Sequence, residues 1–171
     1  MRGNEGLIAV AVLGVALAFL GARLWDEEGA FNPVRSAQPA RFVDGAGGGR
    51  IVLDADRGGH FYLDGEANGA PVRFMVDSGA SIGTLTADDA RAAGIALRER
   101  DYDRPFSTAN GTVMSAVTEL PELIVEGVRL QDVTVAVSKP GALEVSLFGV
   151  NGLNRFARRE TTADEMVLVV E

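Results

Sequence analysis

Val72-Arg73-Phe74-Met75-Val76-Asp77-Ser78-Gly79-Ala80-Ser81 is the stretch on which the reading of this chain turns. Val72, Phe74 and Val76 alternate with Arg73 and Met75, the period of a largely buried strand. The strand runs directly into Asp77, and a carboxylate at the end of a buried strand is costly unless it is hydrogen-bonded, paired or protonated. Ser78, Gly79, Ala80 and Ser81 follow, small residues that let the backbone turn sharply and approach the carboxylate closely. Taken alone, the stretch fits a strand closed by an Asp-Ser-Gly turn as well as it fits a reactive carboxylate.

Working outward, composition narrows the chemistry. The chain has 171 residues, 47% of them hydrophobic, which is enough for one folded domain with additions. Its net charge is -8, from 16 basic and 24 acidic residues, which argues against nucleic acid as a partner. There is no cysteine, so disulfides, thiol nucleophiles and cysteine metal sites are excluded. The one histidine, His60, cannot supply a multi-histidine zinc site. It reads as a strand or packing residue rather than a catalyst. No metal or other cofactor is expected. What remains for ionisable chemistry is carboxylates and arginines. Aromatic residues are few (6%) and glycines many (21), a composition that with the β-branched runs favours a turn-rich β protein.

The N-terminal part is different in kind. Leu7 to Leu20 is unbroken apolar sequence, and counted through Trp25 it makes a helix of roughly 28 Å, close to the ~30 Å of a bilayer core. Arg23 and Trp25 suit the interface, and Asp26, Glu27 and Glu28 follow. Residues 1–25 are read as a transmembrane anchor with its N-terminus inside, a cleaved signal peptide being the competing reading. Either way the rest of the chain is exported. Residues 26–50, with Pro33, Pro39 and the run Gly45-Ala46-Gly47-Gly48-Gly49, read as a flexible linker. The folded domain is expected at 51–171.

From Ile51 onward short strands alternate with turns. Asp54 and Asp56 sit in a solvated turn before a strand at His60–Leu63, and Asn68-Gly69 is a hairpin signal. Thr84-Leu85 is a short strand. Thr86 caps a helix that carries Asp88 and Asp89 in its first turn and stops at Gly94, so both acids have a structural reason to be there. Asn110-Gly111 marks the tip of a hairpin whose returning strand is Val113–Val117. Strands at Leu123–Val125, Val128–Leu130 and Val133–Val137 continue the meander. Leu143 to Phe148 is an apolar strand meeting Gly149, residues 151–158 a short helix, and Met166–Val170 a terminal strand. The fold class is all-β, with one or two short helices.

Several of these pieces occur in an order that resembles the retropepsin-like (clan AA) aspartic proteases, and more closely their bacterial membrane-anchored members. They are Gly59-His60-Phe61, Asn68-Gly69, Phe74 to Ser81, Ala93-Gly94-Ile95, Thr108-Ala109-Asn110-Gly111 and Leu147-Phe148-Gly149. The likeness covers residues 51 to about 158. It implies an acid-protease barrel at 51–171 and peptide hydrolysis by a water that two carboxylates activate. It also implies a homodimer, since such chains bring one catalytic Asp each. In this sequence that residue is Asp77. Ser78, Gly79 and Ala80 would support it together with Leu147, Phe148 and Gly149. Thr108, Ala109, Asn110 and Gly111 would form the flap over an extended peptide. The chain departs from the pattern in Ser78, where Thr is commoner, and in Val150-Asn151-Gly152-Leu153. The terminal strand Met166–Val170 is a candidate to pair across the dimer. The implied setting is the inner membrane, anchored through residues 7–25, with the catalytic domain on the periplasmic side. The physics agrees: two close carboxylates cannot both ionise, so they share a proton and divide the roles of base and acid. One Asp-Ser-Gly per chain then requires a second copy. The competing readings are an exported peptide-binding or assembly module on the same fold, and an exported β domain binding carbohydrate or protein in which Asp77 only orders a turn.

Overall fold

The computed structural model describes residues 38–45, 48–108 and 111–170. The expected anchor, most of the linker and the flap residues Ala109 and Asn110 lie outside the described residues. Among the described residues no helix is long and apolar enough to cross a membrane.

Among the described residues, eleven strands and two short α-helices follow in order. They are β1 (Arg41–Gly45), β2 (Gly48–Asp54), β3 (Tyr62–Ala67), β4 (Ala70–Val76), β5 (Gly83–Leu85) and α1 (Ala87–Ala92). Then come β6 (Arg104–Thr108), β7 (Gly111–Val125), β8 (Val128–Ser138), β9 (Ser146–Phe148), α2 (Val150–Leu153), β10 (Arg158–Thr161) and β11 (Glu165–Val169). The larger sheet has seven strands in the order β3-β4-β9-β5-β8-β7-β6, and an extra β3–β7 pairing closes it on itself. The smaller has four, β1-β2-β11-β10. Both feed one core. Phe74, Phe148, Leu63, Leu85 and Leu120 from the large sheet are buried with Ile51, Leu53 and Leu168 from the small one. Phe148 packs edge-on against Phe74 at 6.0 Å and against Phe156 at 6.3 Å between ring centres, geometry that aromatic pairs favour.

Local chemistry explains the elements read correctly. Asn68 and Gly69 both take positive φ, 49° and 82°, as a two-residue hairpin turn of this type demands. Thr86 Oγ1 accepts from Asp89 N at 3.1 Å and caps α1.

Four expectations are corrected. The linker ends earlier than residue 50: Arg41–Gly45 is a strand paired with β2. Gly45, Gly48 and Gly49, which suggested flexibility, lie in paired strands instead. Gly49 lies under the Phe42 ring, where a Cβ would come within 2.3 Å of Cζ. Arg41 bonds Asp54 on β2 and Glu165 on β11, at 2.7 and 3.4 Å. Second, the strands expected at 113–117 and 123–125 are one strand, β7, and those at 128–130 and 133–137 are one strand, β8. Pro121 interrupts the sequence pattern without ending the strand, because the flanking pairs Leu120↔Val133 and Glu122↔Gln131 hold the register. Third, the helix expected over 151–158 is α2 at Val150–Leu153, and Arg158 opens β10. Fourth, the terminal strand offers no free edge, since β11 pairs with β2 on one side and β10 on the other.

Candidate active site

β9 lies between β4, to which it runs parallel, and β5, to which it runs antiparallel. Two sequence-distant strand ends are thereby set side by side: Val76, which leads into Asp77, and Phe148, which leads into Gly149. Asp77 N donates to Phe148 O at 3.0 Å. Beyond this, the chain from 77 to 83 wraps around the chain from 148 to 151. Val150 N donates to Ala80 O at 2.8 Å and Asn151 N to Ser81 O at 3.2 Å. Gly149 permits the approach, for a Cβ there would stand 2.5 Å from Ile82 C and 2.6 Å from Gly83 N.

Within the loop, Asp77 Oδ1 accepts from Gly79 N at 2.8 Å, and Ala80 N donates to Asp77 O at 3.3 Å. A Cβ on Gly79 would lie 3.1 Å from Asp77 Oδ1, so glycine is what lets its amide reach the carboxylate. Asp77 and Ala80 are half-buried, while Ser78, Gly79 and Ser81 are exposed. The carboxylate thus sits half-buried on a hydrogen-bonded loop whose neighbouring residues Ser78 and Gly79 face solvent.

The structure brings Ser78, Gly79, Ala80, Phe148 and Gly149 to Asp77. Leu147 points elsewhere: it packs against Tyr62, Met75 and Val145 in a small apolar cluster. Burial, and after it the Asp56 carboxylate, push the Tyr62 hydroxyl up to about 12 against the opposing pull of Arg73, whose guanidinium lies 5.4 Å from the ring centre. Thr108 and Gly111 pair at the end of the β6–β7 ribbon, with Thr108 Oγ1 donating to Gly111 O at 2.8 Å. Asp89, read as an acid of the first turn of α1, also accepts from the fully buried Ser146 on β9 at 2.5 Å, and Ser146 Oγ in turn accepts from Thr86 N at 3.0 Å. A groove of roughly 300 Å³ between α1 and Val137, lined by Ile95, Leu97 and Tyr102, contains no residue of the Asp77 loop.

Asn151 is the residue the sequence reading missed. Its Oδ1 accepts from Gly83 N at 2.8 Å and its Nδ2 donates to Thr134 O at 2.7 Å. It therefore ties the far end of the Asp77 loop to β8. The available signal was an amide two residues past Gly149.

A sheet closed through β3–β7, with a strand-end Asp-Ser-Gly loop locked onto a strand-end glycine, defines an acid-protease type of domain. Residues 63–155, more than half of the chain, match the family described as "gag-polyprotein putative aspartyl protease". The chain is similar to a crystal structure of a retropepsin-like aspartic protease from Rickettsia conorii, with a TM-score of 0.64 and 31% identity, covering 78% of this chain and 96% of that one. Among curated proteins, an uncharacterized protein of Rickettsia prowazekii is 33% identical over 120 residues, 70% of this chain and 51% of that protein. The match thus spans about half the length of that relative. An uncharacterized Sinorhizobium protein is 29% identical over 174 residues, covering 98% of this chain and 75% of its own. The chain belongs to the retropepsin-like aspartic protease family.

Proposed function

We propose that the protein is an aspartic endopeptidase whose active site forms between two copies, each contributing Asp77. The observation that carries this reading is the Asp77 loop itself, with its carboxylate oxygen on the Gly79 amide and its backbone locked to Phe148, Val150 and Asn151. Family membership supports the same chemistry. One such loop per chain makes half of a dyad. With two carboxylates side by side, one proton is shared. The ionised Asp77 takes a proton from a water held between them, and the oxygen attacks the peptide carbonyl. The protonated Asp77 donates to the carbonyl oxygen, and collapse of the tetrahedral species passes a proton to the leaving amine. No metal or cofactor enters these steps. Ser78, exposed on the loop, is placed in this reading to hydrogen-bond the partner's loop, and Thr108 to Gly111 to close over an extended peptide and exclude water. Leu7 to Trp25 anchors the protein in the inner membrane, with the catalytic domain on the periplasmic side. Confinement in a membrane raises the effective concentration of the two copies and favours their pairing.

The test is Asp77→Asn in the full chain. Peptide cleavage between about pH 4 and 7 should disappear while the thermal unfolding midpoint and the sedimentation behaviour stay those of the wild type. Wild-type protein with no pepstatin-sensitive cleavage anywhere in that range, or monomeric at high concentration in sedimentation, would refute the reading.

A further inference from the structure

We infer that His60 is a specificity-determining residue at the rim of the Asp77 site, donating a hydrogen bond to a substrate side chain that carries an acceptor, a carboxylate or an amide. The inference rests on the protease reading and adds to it a residue and a substrate class.

The placement follows from register. β3 and β4 pair antiparallel with Tyr62 opposite Met75. Val76 N donates to Phe61 O at 2.9 Å, so the pairing runs on past the end of β3. Carried one step further, the same register would set His60 alongside Asp77. Residues directly opposed in an antiparallel pair lie about 5 Å apart and share a face.

The loop before it is built to hold that position. Asp56 Oδ1 accepts from both Gly58 N and His60 N at 2.8 Å. Asp56 N donates to His60 O at 2.8 Å, and Gly59, at φ 78°, donates to Asp56 O at 3.0 Å. Five residues thus close around one carboxylate oxygen and deliver His60 to the start of the strand. A solvated turn has no need of such an arrangement, and this one carries a cost: Asp56 Oδ2 is buried without a hydrogen-bond partner. The imidazole rests against Gly58, where an added Cβ would lie 3.0 Å from Cδ2 and 3.4 Å from Nε2. His60 itself is half-buried, with part of its surface left to a ligand. Asp56 and Asp77, the carboxylates to either side, accept hydrogen bonds when ionised. What His60 adds to this rim is a donor.

The experiment profiles cut sites by mass spectrometry with the full chain and an equimolar mixture of synthetic peptides. Wild type, His60→Ala, His60→Gln and Gly58→Ala are compared. Wild type should favour peptides with Asp, Glu, Asn or Gln close to the cut. His60→Ala should lose that preference, with KM for those peptides rising about tenfold, the worth of a lost hydrogen bond, and kcat changing less than about twofold. His60→Gln, which keeps a donor, should restore part of the preference, and Gly58→Ala, which displaces the ring, should weaken it. On an Asp77→Asn background, fluorescence anisotropy should show the same loss in binding of the acceptor-bearing peptides. Cleavage abolished by Asp77→Asn but with a cut profile unchanged in His60→Ala, or in Gly58→Ala should His60→Ala fail to fold, overturns the inference and leaves the protease reading standing. Absence of any cleavage that depends on Asp77 overturns both.

Discussion

Replacing Asn151 by Ala tests whether the Asp77 loop is clamped as its geometry says. The substitution deletes the acceptor of Gly83 N at 2.8 Å and the donor to Thr134 O at 2.7 Å. The two losses are unequal. Gly83 is buried, so its amide is left without a partner, at a cost of about 1–3 kcal/mol. Thr134 is exposed and its carbonyl can turn to water, for well under about 1 kcal/mol. A total near 2 kcal/mol should lower the unfolding midpoint by roughly 6–10 °C in a domain of this size. The catalytic consequence should be larger in relative terms, because a loop displaced by ~1 Å can cost on the order of 100-fold in rate. Circular dichroism on heating gives the first number, peptide cleavage the second, and hydrogen exchange at the Gly83 amide reports the broken bond directly. Asn151→Asp, which keeps the acceptor but sets a carboxylate against Thr134 O, should fall between wild type and Ala. Asn154→Ala, one turn further on and exposed, is the control and should change stability by less than about 0.5 kcal/mol. An Asn151→Ala protein that melts with the wild type and protects Gly83 equally well would show that the clamp is only apparent.

Gly149→Ala should be far more damaging, because its Cβ would enter within 2.5–2.7 Å of Ile82 and Gly83 backbone atoms that cannot move without opening the loop; loss of more than about 3 kcal/mol, or failure to accumulate folded protein, is expected, and a soluble, normally melting variant would contradict the packing. Glu126 gives a pH-dependent outcome. Burial first, and then the Asp64 carboxylate, raise its carboxyl above the ordinary value of 4.5, against a hydrogen bond from Asp64 N and the charge of Arg73. A raised carboxyl binds its proton more tightly in the folded chain, so its contribution to stability is complete below the unfolded value and is lost as pH rises through the folded one. Glu126→Gln keeps an acceptor for Asp64 N, so its melting advantage over the wild type should grow between about pH 4.5 and 7; a difference that stays flat with pH would remove the argument.

What could be read from sequence was what neighbours in the chain decide. The β4 alternation, the Asn68-Gly69 turn and the Thr86 cap each depend on residues a few positions apart, and each is found in the structure. What could not be read depends on distant pairing. β1 is a strand because β2 lies beside it, and nothing within Arg41 to Gly49 separates a glycine-rich hairpin from a glycine-rich tether. Asn151 acts on a residue 68 positions away, so its local sequence looked only like a departure from pattern. His60 is the instructive intermediate. Its own neighbours say strand, but the Asn68-Gly69 turn fixes Ala67 opposite Ala70, and counting back from that turn reaches Tyr62 opposite Met75, from which the place inferred for His60 beside Asp77 is an extension of the same count. The register was computable from a turn already recognised.

The same distinction bears on how the site would work. The contacts that Gly79, Phe148, Val150 and Asn151 make with the Asp77 loop are intrachain ones. On the proposed reading each copy therefore carries a finished half, and assembly has to join two preformed loops rather than fold them. The entropy of ordering the loop is met in the folding of the monomer, which lets a modest interface suffice for activity. That places the weak step at association. Activity should fall with dilution while the thermal midpoint of the Asp77 loop, followed by hydrogen exchange at Gly79 and Gly83, does not. Exchange at those two amides that instead rose in step with the loss of activity would mean that the partner shapes the loop, and the half-site would not be preformed.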